Sequence, residues 1–249
     1  MKKFFIKSNI KGSNNKIEAF YDGKWHQLRI KNANSNFWIK GNNNVIKFHL
    51  DTKTIPKNFN ITINGYNNYI EIIGPIKFNN TTIEIEGNEN IFKIKKPARV
   101  VKNCYFCLEG LAEVNIDEDC GLNMGLYAII NNNFKNKHKL TIGKGVFIGK
   151  DVIIRTSDGH AIIDPETGLA INEPQDIEIG DNVWIGARNM ILKGTKIPSG
   201  SIVGAQSVVN KKFETTNVLI AGNPAKIIRN NVFWDVRDFG RYMKETTKE

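Results

Sequence analysis

The stretch that decides the fold runs from residue 179 to residue 208 and reads IGDNVW-IGARNM-ILKGTK-IPSGSI-VGAQSV. An aliphatic residue opens every group of six, at Ile179, Ile185, Ile191, Ile197 and Val203, and Val209 follows in step. Helical faces recur about every 3.6 residues and strand faces about every 2, so neither element produces this six-residue aliphatic repeat, or comb. A strict six-residue period predicts a parallel β-helix in which each hexad forms one short side of a coil.

A second comb lies upstream at Ile142, Ile148 and Ile154, and a single segment separates the two combs. That segment, residues 156–175, reads TSDGHAIIDPETGLAINEPQ and contains His160. Because the combs on either side are regular, the interruption predicts a loop that leaves the coils. Functional residues concentrate on loops held by a rigid scaffold, so we expect the chemistry of the protein here.

The first hundred residues repeat in a different way. GNNNVIKFHL, GYNNYIEIIG and GNENIFKIKK, which start at Gly41, Gly65 and Gly87, each place a polar turn before an alternating strand. Asparagine and glycine adopt left-handed backbone conformations at little cost, so these turns predict the corners of irregular β-helical coils. The alternative is a separate small β-domain built from hairpins.

The predicted organisation has three parts: Asn-rich coils over residues 1–110, a hexapeptide β-helix over 111–230, and a helical cap over 231–249. The polar run NNNFKNKHK, residues 131–139, predicts a loop. The sequence AGNPAKIIR is expected to end the solenoid, and an apolar face on the last segment predicts a short helix that caps it. The fold class is therefore all-β, a hexapeptide solenoid with a loop insertion and a short C-terminal helix.

Composition narrows the possible partners. The net charge is +10 and the basic residues are scattered without a nucleic-acid-binding motif, which favours an anionic small ligand over nucleic acid. No apolar run approaches the ~18 residues of a membrane span, and the apolar start is shorter than a secretory signal. We therefore expect a cytoplasmic protein with no membrane span.

Three cysteines are present, Cys104, Cys107 and Cys120. Cys104 and Cys107 form a CxxC pair, but a closed zinc site requires about four ligands and no second pair follows. The thiols are predicted to be small apolar filler inside the solenoid, and no metal is expected.

The tracts LTIGKGVFIGKDVIIRTSDGH, IEIGDNVWIGARNMILKGTKIPSGSIVGAQSVV and AGNPAKIIR resemble the hexapeptide-repeat acyltransferases. The similarity covers about residues 140–230, and the closest branch contains galactoside and maltose acetyltransferases and the capsule or lipopolysaccharide sugar O-acetyltransferases. The resemblance implies a left-handed parallel β-helix and an acetyl-CoA-dependent O-acetyltransferase that acts on a sugar hydroxyl of a surface polysaccharide or its precursor. Members of the family are typically homotrimers with active sites between neighbouring coils.

The same resemblance assigns the catalytic residues. His160 matches the family's general base, and imidazole suits that role because it titrates near neutral pH. Asp158 and Asp164 are candidates for orienting His160 or binding the acceptor, although both also fit simple turn positions. Trp184 matches a residue that lines the acceptor side of the pocket. Asn123 matches, weakly, an asparagine that holds the acceptor hydroxyl, and Asn131 or Asn133 could fill that role instead.

The coenzyme A site is also carried over from the family. Small residues let the pantetheine lie close to the coil wall, and basic residues neutralise its phosphates. The matching positions are Ala187, Gly204, Ala205, Lys211, Lys226 and Arg229.

Other functions remain open from the sequence. The acceptor could be an amino-sugar nucleotide, which would make the protein an N-acetyltransferase, or serine. A zinc carbonic anhydrase shares this solenoid but requires three histidine ligands. A non-catalytic β-helix with a binding surface would need neither the histidine loop nor a coenzyme site.

Overall fold

A computed structural model describes residues 8–21, 23–27, 35–50, 58–74, 77–96, 101–122 and 124–246 of the 249-residue chain. The first strands are β1 (Ser8–Lys11), β2 (Lys16–Tyr21), β3 (Lys24–Gln27), β4 (Asn36–Lys40), β5 (Val45–His49), β6 (Phe59–Asn64), β7 (Tyr69–Ile73), β8 (Phe78–Asn79), β9 (Thr81–Glu86), β10 (Ile91–Lys95), β11 (Val101–Lys102) and β12 (Tyr105–Ile116). The later strands are β13 (Gly121–Leu122), β14 (Tyr127–Ile142), β15 (Phe147–Ile148), β16 (Ile153–Arg155), β17 (Ile177–Ile179), β18 (Trp184–Ile185), β19 (Met190–Leu192), β20 (Lys196–Ile197), β21 (Ile202–Val203), β22 (Val208–Val209), β23 (Leu219–Gly222) and β24 (Ala225–Arg229). The helix α1 spans Phe239–Thr246.

Each hexad of the comb supplies one short strand. β17 pairs in parallel with β20, β18 with β21, and β19 with β22, so every strand lies beside the strand three hexads later. Three hexads therefore complete one coil of parallel-paired strands, and the predicted all-β class is confirmed. The aliphatic residues of both combs are buried in the core. Full burial of one such side chain stabilises a fold by roughly 1.5–3 kcal/mol, so the combs hold these coils together.

The Asn-rich region forms parallel coils as well. β4, β6 and β9 follow one another along one face, and β5, β7 and β10 along the next. β12 pairs with β9 and β10 on one side and with β14 on the other, so strands from both parts of the chain join in one sheet. The predicted boundary at residue 110 falls inside β12, and the division of the chain into three units stays a prediction.

Asparagine forms the corners of the early coils, as the sequence predicted. Asn14, Asn43 and Asn67 occupy the left-handed region, with φ of 57°, 59° and 59°. Glycine is required just before them: a Cβ on Gly41 would lie 1.9 Å from the carbonyl oxygen of Gly65 in the next coil. Close backbone stacking and a positive φ therefore explain why these turns contain little besides Gly and Asn.

A ladder of buried amides lies directly behind these corners. Asn68 Nδ2 donates to Asn44 Oδ1 and to the carbonyl oxygen of Gly87, both at 2.9 Å. Asn90 Nδ2 in turn donates to Asn68 Oδ1 at 3.0 Å. The ladder ends at the next coil, where the backbone N–H of Ala112 donates to Asn90 Oδ1 at 2.8 Å. Alanine has no side-chain amide, so it cannot bond to the coil that follows.

Two details of the later coils differ from, or add to, the sequence prediction. The polar run 131–139 lies within β14 rather than in a free loop, although its pairing with β12 is irregular there. The stack ends in an antiparallel hairpin of β23 and β24, whose turn contains Asn223 and Pro224. α1 follows this end, and no helix in the described part of the chain is long and apolar enough to cross a membrane.

All three cysteines are buried free thiols. Cys104 and Cys120 belong to the core cluster, which confirms their predicted packing role. Cys107 lies outside that cluster, with its Sγ 3.7 Å from Glu109 Oε1, so it is not filler inside the solenoid. Burial raises the pKa of Cys104 and of Cys120 to about 11, and that of Cys107 to about 12. Buried thiols with such high pKa values are poor nucleophiles at neutral pH.

Candidate active site

The segment between β16 and β17 leaves the coils where the comb is interrupted. The backbone N–H of Gln175 donates to the carbonyl oxygen of Thr156 at 2.9 Å and closes the neck of the loop. Farther out, an antiparallel bridge joins Ile163 to Ala170. The loop is therefore a hydrogen-bonded hairpin, and it can present a side chain in a defined position.

His160 lies on the outgoing limb of this hairpin and is exposed to solvent. Its carbonyl oxygen accepts a hydrogen bond from Asn172 Nδ2 at 2.8 Å. The same nitrogen donates to Asp158 Oδ2 at 2.9 Å, and Asn172 Oδ1 accepts from the backbone N–H of Ile162 at 2.8 Å. Asn172 thus ties the returning limb to the chain on both sides of His160.

Lys193 connects this hairpin to the rigid coils. It follows β19, and its Nζ donates to Asp158 Oδ2 at 2.5 Å and to the carbonyl oxygen of Asn172 at 3.1 Å. The Lys193 ammonium, assisted by the Asn172 amide, holds the pKa of Asp158 below its usual range. Asp158 is therefore anionic at neutral pH, and its carboxylate is engaged in holding the loop.

Asp164 lies at the far end of the hairpin. Its Oδ1 accepts from the backbone N–H of Glu166 at 2.8 Å, and this bond lowers the pKa of Asp164. The carboxylate therefore stabilises the turn of the hairpin. An acceptor-binding or orienting role for Asp158 or Asp164 stays a prediction.

His160 opens into a cavity of about 410 Å³. Small-molecule sites commonly enclose about 300–1,000 Å³. The loop contributes Ser157, Asp158, Gly159, His160, Ala161, Ala170, Asn172, Glu173 and Pro174, and β14 contributes Asn133, Phe134 and Lys135. The small side chains among them leave room for a ligand beside the imidazole.

The asparagine that would hold an acceptor hydroxyl has three candidates. Asn123 lies outside the described residues. Asn131 is buried, and its Nδ2 donates to the carbonyl oxygens of Leu111 and Asn133 at 2.9 Å, so its amide is used inside the fold. Asn133 lines the cavity of His160, and of the candidates with a described position it is the one that faces this cavity.

Trp184 lies on a different face of the solenoid from His160. β18 belongs to the sheet of β13, β15, β21, β23 and β24, and the indole is 44% exposed. It is close to Trp234 of the C-terminal segment, with ring centroids 6.2 Å apart. Trp184 is not among the residues that line the His160 cavity of the same chain, so its predicted place in the pocket requires a neighbouring chain.

The residues predicted to bind coenzyme A lie near the end of the stack. Ala187, Gly204 and Ala205 follow β18 and β21 at one corner, where a Cβ on Gly204 would lie 3.0 Å from the Cβ of Ala221. Ala221 is the cross-strand partner of Lys226 in the terminal hairpin. A wall of small residues thus borders an exposed lysine, which is an arrangement that can take a pantetheine chain and a phosphate.

The two remaining basic positions, Arg229 and Lys211, differ in whether their charged groups are free to bind a ligand. Arg229 is exposed on β24, three residues after Lys226, and within the described residues it has no ion-pair partner. Lys211 lies with its Nζ 5.2 Å from the ring centre of Phe213, in a cation–π contact. Arg229 is therefore available to an anionic ligand, whereas Lys211 would give up an aromatic contact to reach one.

A larger cavity of about 670 Å³ lies at the base of the same loop and contains a second histidine. His138 Nδ1 lies 3.3 Å from Asp176 Oδ1, which resembles a catalytic His–Asp pair. However, the other ring nitrogen, Nε2, is buried and has no hydrogen-bond partner among the residues that the structure describes. A general base must contact the proton that it removes, so His160 is the better placed of the two.

Among the described residues, no group of three or more His, Cys, Asp or Glu side chains is arranged to hold a metal ion. His138 and His160 line different cavities. The three-histidine site of a zinc carbonic anhydrase therefore has no counterpart in this part of the chain.

Sequence reasoning missed four residues of the site: Asn172, Lys193, Phe134 and Lys135. Asn172 and Lys193 show no motif, because their importance depends on contacts between segments far apart in sequence. Phe134 and Lys135 were assigned to a solvated polar loop. An apolar Phe within the run NNNFKNKHK was the signal that could have identified them.

Comparison with known proteins places these features in context. The family profile "Bacterial transferase hexapeptide (six repeats)" matches residues 176–211. A polysialic acid O-acetyltransferase of Neisseria meningitidis is 33% identical over 211 residues, which cover 84% of this chain and 91% of that protein. The polysialic acid O-acetyltransferase of Escherichia coli O1:K1 is 38% identical over 99 residues, or 40% of this chain, and the match spans 32% of that protein's length.

The solved structure of the polySia-specific acetyltransferase NeuO covers 97% of this chain and is itself covered to 99%. It has a TM-score of 0.53 and 22% sequence identity. At that identity the likeness supports a common fold over nearly the whole length of both chains.

Proposed function

The chain belongs to the hexapeptide-repeat acetyltransferases, and from that membership we propose that it transfers an acetyl group from acetyl-CoA to a hydroxyl of a polysaccharide sugar. The observation that carries the proposal is His160, held by an ordered hairpin at the mouth of a 410 Å³ cavity. The relative from Neisseria meningitidis, of which the chain covers 91%, is a polysialic acid O-acetyltransferase and supports a polysaccharide acceptor.

His160 acts in this proposal as the general base and then as the general acid. Its imidazole removes the proton from the sugar hydroxyl as the oxygen attacks the thioester carbonyl. The resulting imidazolium returns that proton to the departing thiolate of coenzyme A. A thioester is already activated, so the protein needs no covalent nucleophile, and the buried thiols have no part in the reaction.

The coenzyme would lie along the corner formed by Ala187, Gly204 and Ala205. Small side chains permit a close approach, and Lys226 and Arg229 of the terminal hairpin supply positive charge for its phosphates. Lys211 is a weaker member of this set because its ammonium already contacts Phe213.

We further propose that the coils are left-handed and that three chains associate, as the family resemblance implies. Trp184 lies outside the His160 cavity of its own chain, so a neighbouring chain could supply it to complete the pocket. Mixing tests this directly: trimers assembled from His160→Ala and Trp184→Ala chains would regain activity at sites that combine one intact residue from each. Mixed assemblies as inactive as either variant would contradict a shared site.

The reaction itself is tested by incubating the purified protein with acetyl-CoA and polysialic acid, and following release of free coenzyme A thiol. The expected product is an O-acetyl ester, which mild alkali removes. An alkali-stable amide formed on an amino-sugar nucleotide would favour the N-acetyltransferase alternative. No binding of acetyl-CoA by calorimetry would instead favour a non-catalytic binding protein.

A further inference from the structure

Part of the wall of the His160 cavity is a bulge in β14, formed by residues 131–137. Before the bulge Leu108 pairs with Ile130, and after it Ala112 pairs with His138, so β14 holds extra residues that β12 does not match. The bulge occupies the corner at which the amide ladder of the earlier coils has ended. It is the last corner before the loop that presents His160.

Hydrogen bonds shape this bulge. Asn131 is fully buried in the left-handed region, with φ of 61°, and its backbone N–H donates to Thr156 Oγ1 at 2.6 Å. Asn133 Oδ1 accepts from the backbone N–H groups of Lys135 and Asn136 at 2.8 and 3.2 Å. The two side chains between these bonds, Phe134 and Lys135, are therefore presented by a fixed backbone.

Phe134 points into solvent at the cavity with 75% of its surface exposed. An exposed aromatic ring held by a hydrogen-bonded turn beside a catalytic histidine offers a flat apolar surface to a ligand. Sugars present such an apolar face on one side of the ring, and aromatic side chains bury much area against a partner with little loss of conformational entropy.

The charges around the cavity favour an anion. Three cations lie around it, Lys135, Lys193 and Arg155, against two carboxylates, Asp158 and Glu173. Arg155 is counted because its Nη2 lies close to Gly159 of the cavity wall, 2.9 Å from where a Cβ would be. Lys193 is already paired with Asp158. Lys135 has no ion-pair partner among the described residues, so its ammonium remains available to a ligand.

We propose that the bulge is the acceptor subsite of the His160 cavity. The Phe134 ring packs against a sugar, and the Lys135 ammonium pairs with a carboxylate on that sugar. The subsite thus selects acidic sugar units. This rests on the proposed function, because the sugar bound here is the one whose hydroxyl His160 deprotonates.

Lys135 is tested with two matched probes, a short sialic acid oligomer and the same oligomer with its carboxylates converted to carboxamides. Lys135→Ala should lower kcat/KM for the carboxylate probe by about tenfold and leave the carboxamide probe within about twofold. Lys16→Ala, a lysine exposed on the far end of the solenoid, serves as the control. An equal effect on both probes, or none, would overturn the role of Lys135.

Phe134→Ala should raise KM for both probes by about fivefold or more with little change in kcat, because the ring binds sugar without taking part in the chemistry. Phe239→Ala, a comparably exposed ring on α1, should have no effect. If Phe134→Ala instead changes the sedimentation coefficient of the assembly, Phe134 is a contact between chains and the subsite assignment is wrong.

Binding of the same oligomer is measured separately by saturation-transfer NMR without acetyl-CoA. Binding that depends on Lys135, in a protein that transfers no acetyl group, would contradict the proposed function and retain the subsite. Transfer that is indifferent to Lys135 would contradict the subsite and retain the function. Neither binding nor transfer would overturn both.

Discussion

The early and late coils of the solenoid differ in the structure of the same corner. Between β4 and β5, and at the equivalent turns of the neighbouring coils, a buried amide ladder running through Asn44, Asn68 and Asn90 fixes the backbone. After the ladder ends at Ala112, the same corner carries first the bulge 131–137 and then the loop 156–175. The candidate active site lies at the first corners that the ladder does not reach.

The difference has a physical reason. Each amide of the ladder bonds to the coils above and below, so one inserted residue would leave several buried polar groups without partners. The hexad coils are held mainly by aliphatic side chains packed from all faces, and at this corner their buried polar groups form single bonds, such as that from the Asn131 backbone N–H to Thr156 Oγ1, rather than a continuous ladder. An insertion there separates fewer buried polar groups from their partners, so this corner can carry the bulge and the loop.

The largest expected effect comes from breaking the ladder. Asn68→Ala removes the acceptor of the Asn90 backbone N–H and side-chain amide and the donor to the Gly87 carbonyl, while Asn44 Oδ1 keeps its bond from the backbone N–H of residue 68. Each buried unsatisfied group costs roughly 1–3 kcal/mol. We expect the free energy of unfolding to fall by about 4 kcal/mol, measured by denaturant titration. A loss below about 1 kcal/mol would mean that the ladder does not hold the corner.

The coil in which the ladder ends contains Cys104, and its stability should depend on alkaline pH. Burial raises the pKa of this thiol from 9.0 to about 11, so the unfolded chain ionises first as pH rises. The protonated thiol therefore contributes its full stabilisation of the folded state below pH 9. This contribution, roughly 2–3 kcal/mol of the unfolding free energy, is lost as the pH rises towards 11. Unfolding free energies at pH 8 and pH 11 should differ more in the wild type than in Cys104→Ala, and equal differences would refute the assignment.

The loop that replaces the ladder should be sensitive to its own hydrogen bonds. Asn172→Ala removes the donor to the carbonyl of His160 and one of the two donors to Asp158 Oδ2, and Lys193 keeps the other. We therefore expect kcat to fall about tenfold, equivalent to about 1.4 kcal/mol. KM for acetyl-CoA should stay within twofold, because Asn172 is a positioning residue and lies apart from the predicted coenzyme corner. Asn210→Ala is the exposed control, and unchanged kcat in Asn172→Ala would show that the hairpin holds His160 without this amide.

The smallest effect is expected at the exposed tips of the corners. Asn67 has φ of 59°, a conformation that glycine adopts without strain. Asn67→Gly should therefore change the unfolding free energy by less than about 0.5 kcal/mol, whereas Asn67→Ala should cost about 1 kcal/mol. Thermal denaturation of the pair checks this, and a large loss in the glycine variant would place the corner's stability in the exposed amide rather than in the backbone conformation.

The scaffold could be predicted from the sequence because the period of an apolar repeat gives the length of its structural unit. The comb from Ile179 onward predicted coils in which each hexad forms one short side, and the break in the comb identified the loop of His160. The contacts of that loop could not be predicted, since Lys193 reaches Asp158 only after a full coil has closed. The polar run 131–139 was misassigned to a free loop because its many Asn and Lys residues are typical of loops, although the run forms part of a strand with an ordered bulge.

The central claim is that the solenoid is scaffold and that the break in it performs the chemistry. The direct test is the rate of acetyl transfer to the polysaccharide by His160→Ala, compared with wild type at equal thermal stability. We predict the same fold and assembly with a loss of about 10²-fold or more, the scale of a lost general base. Turnover at the wild-type rate would contradict the account.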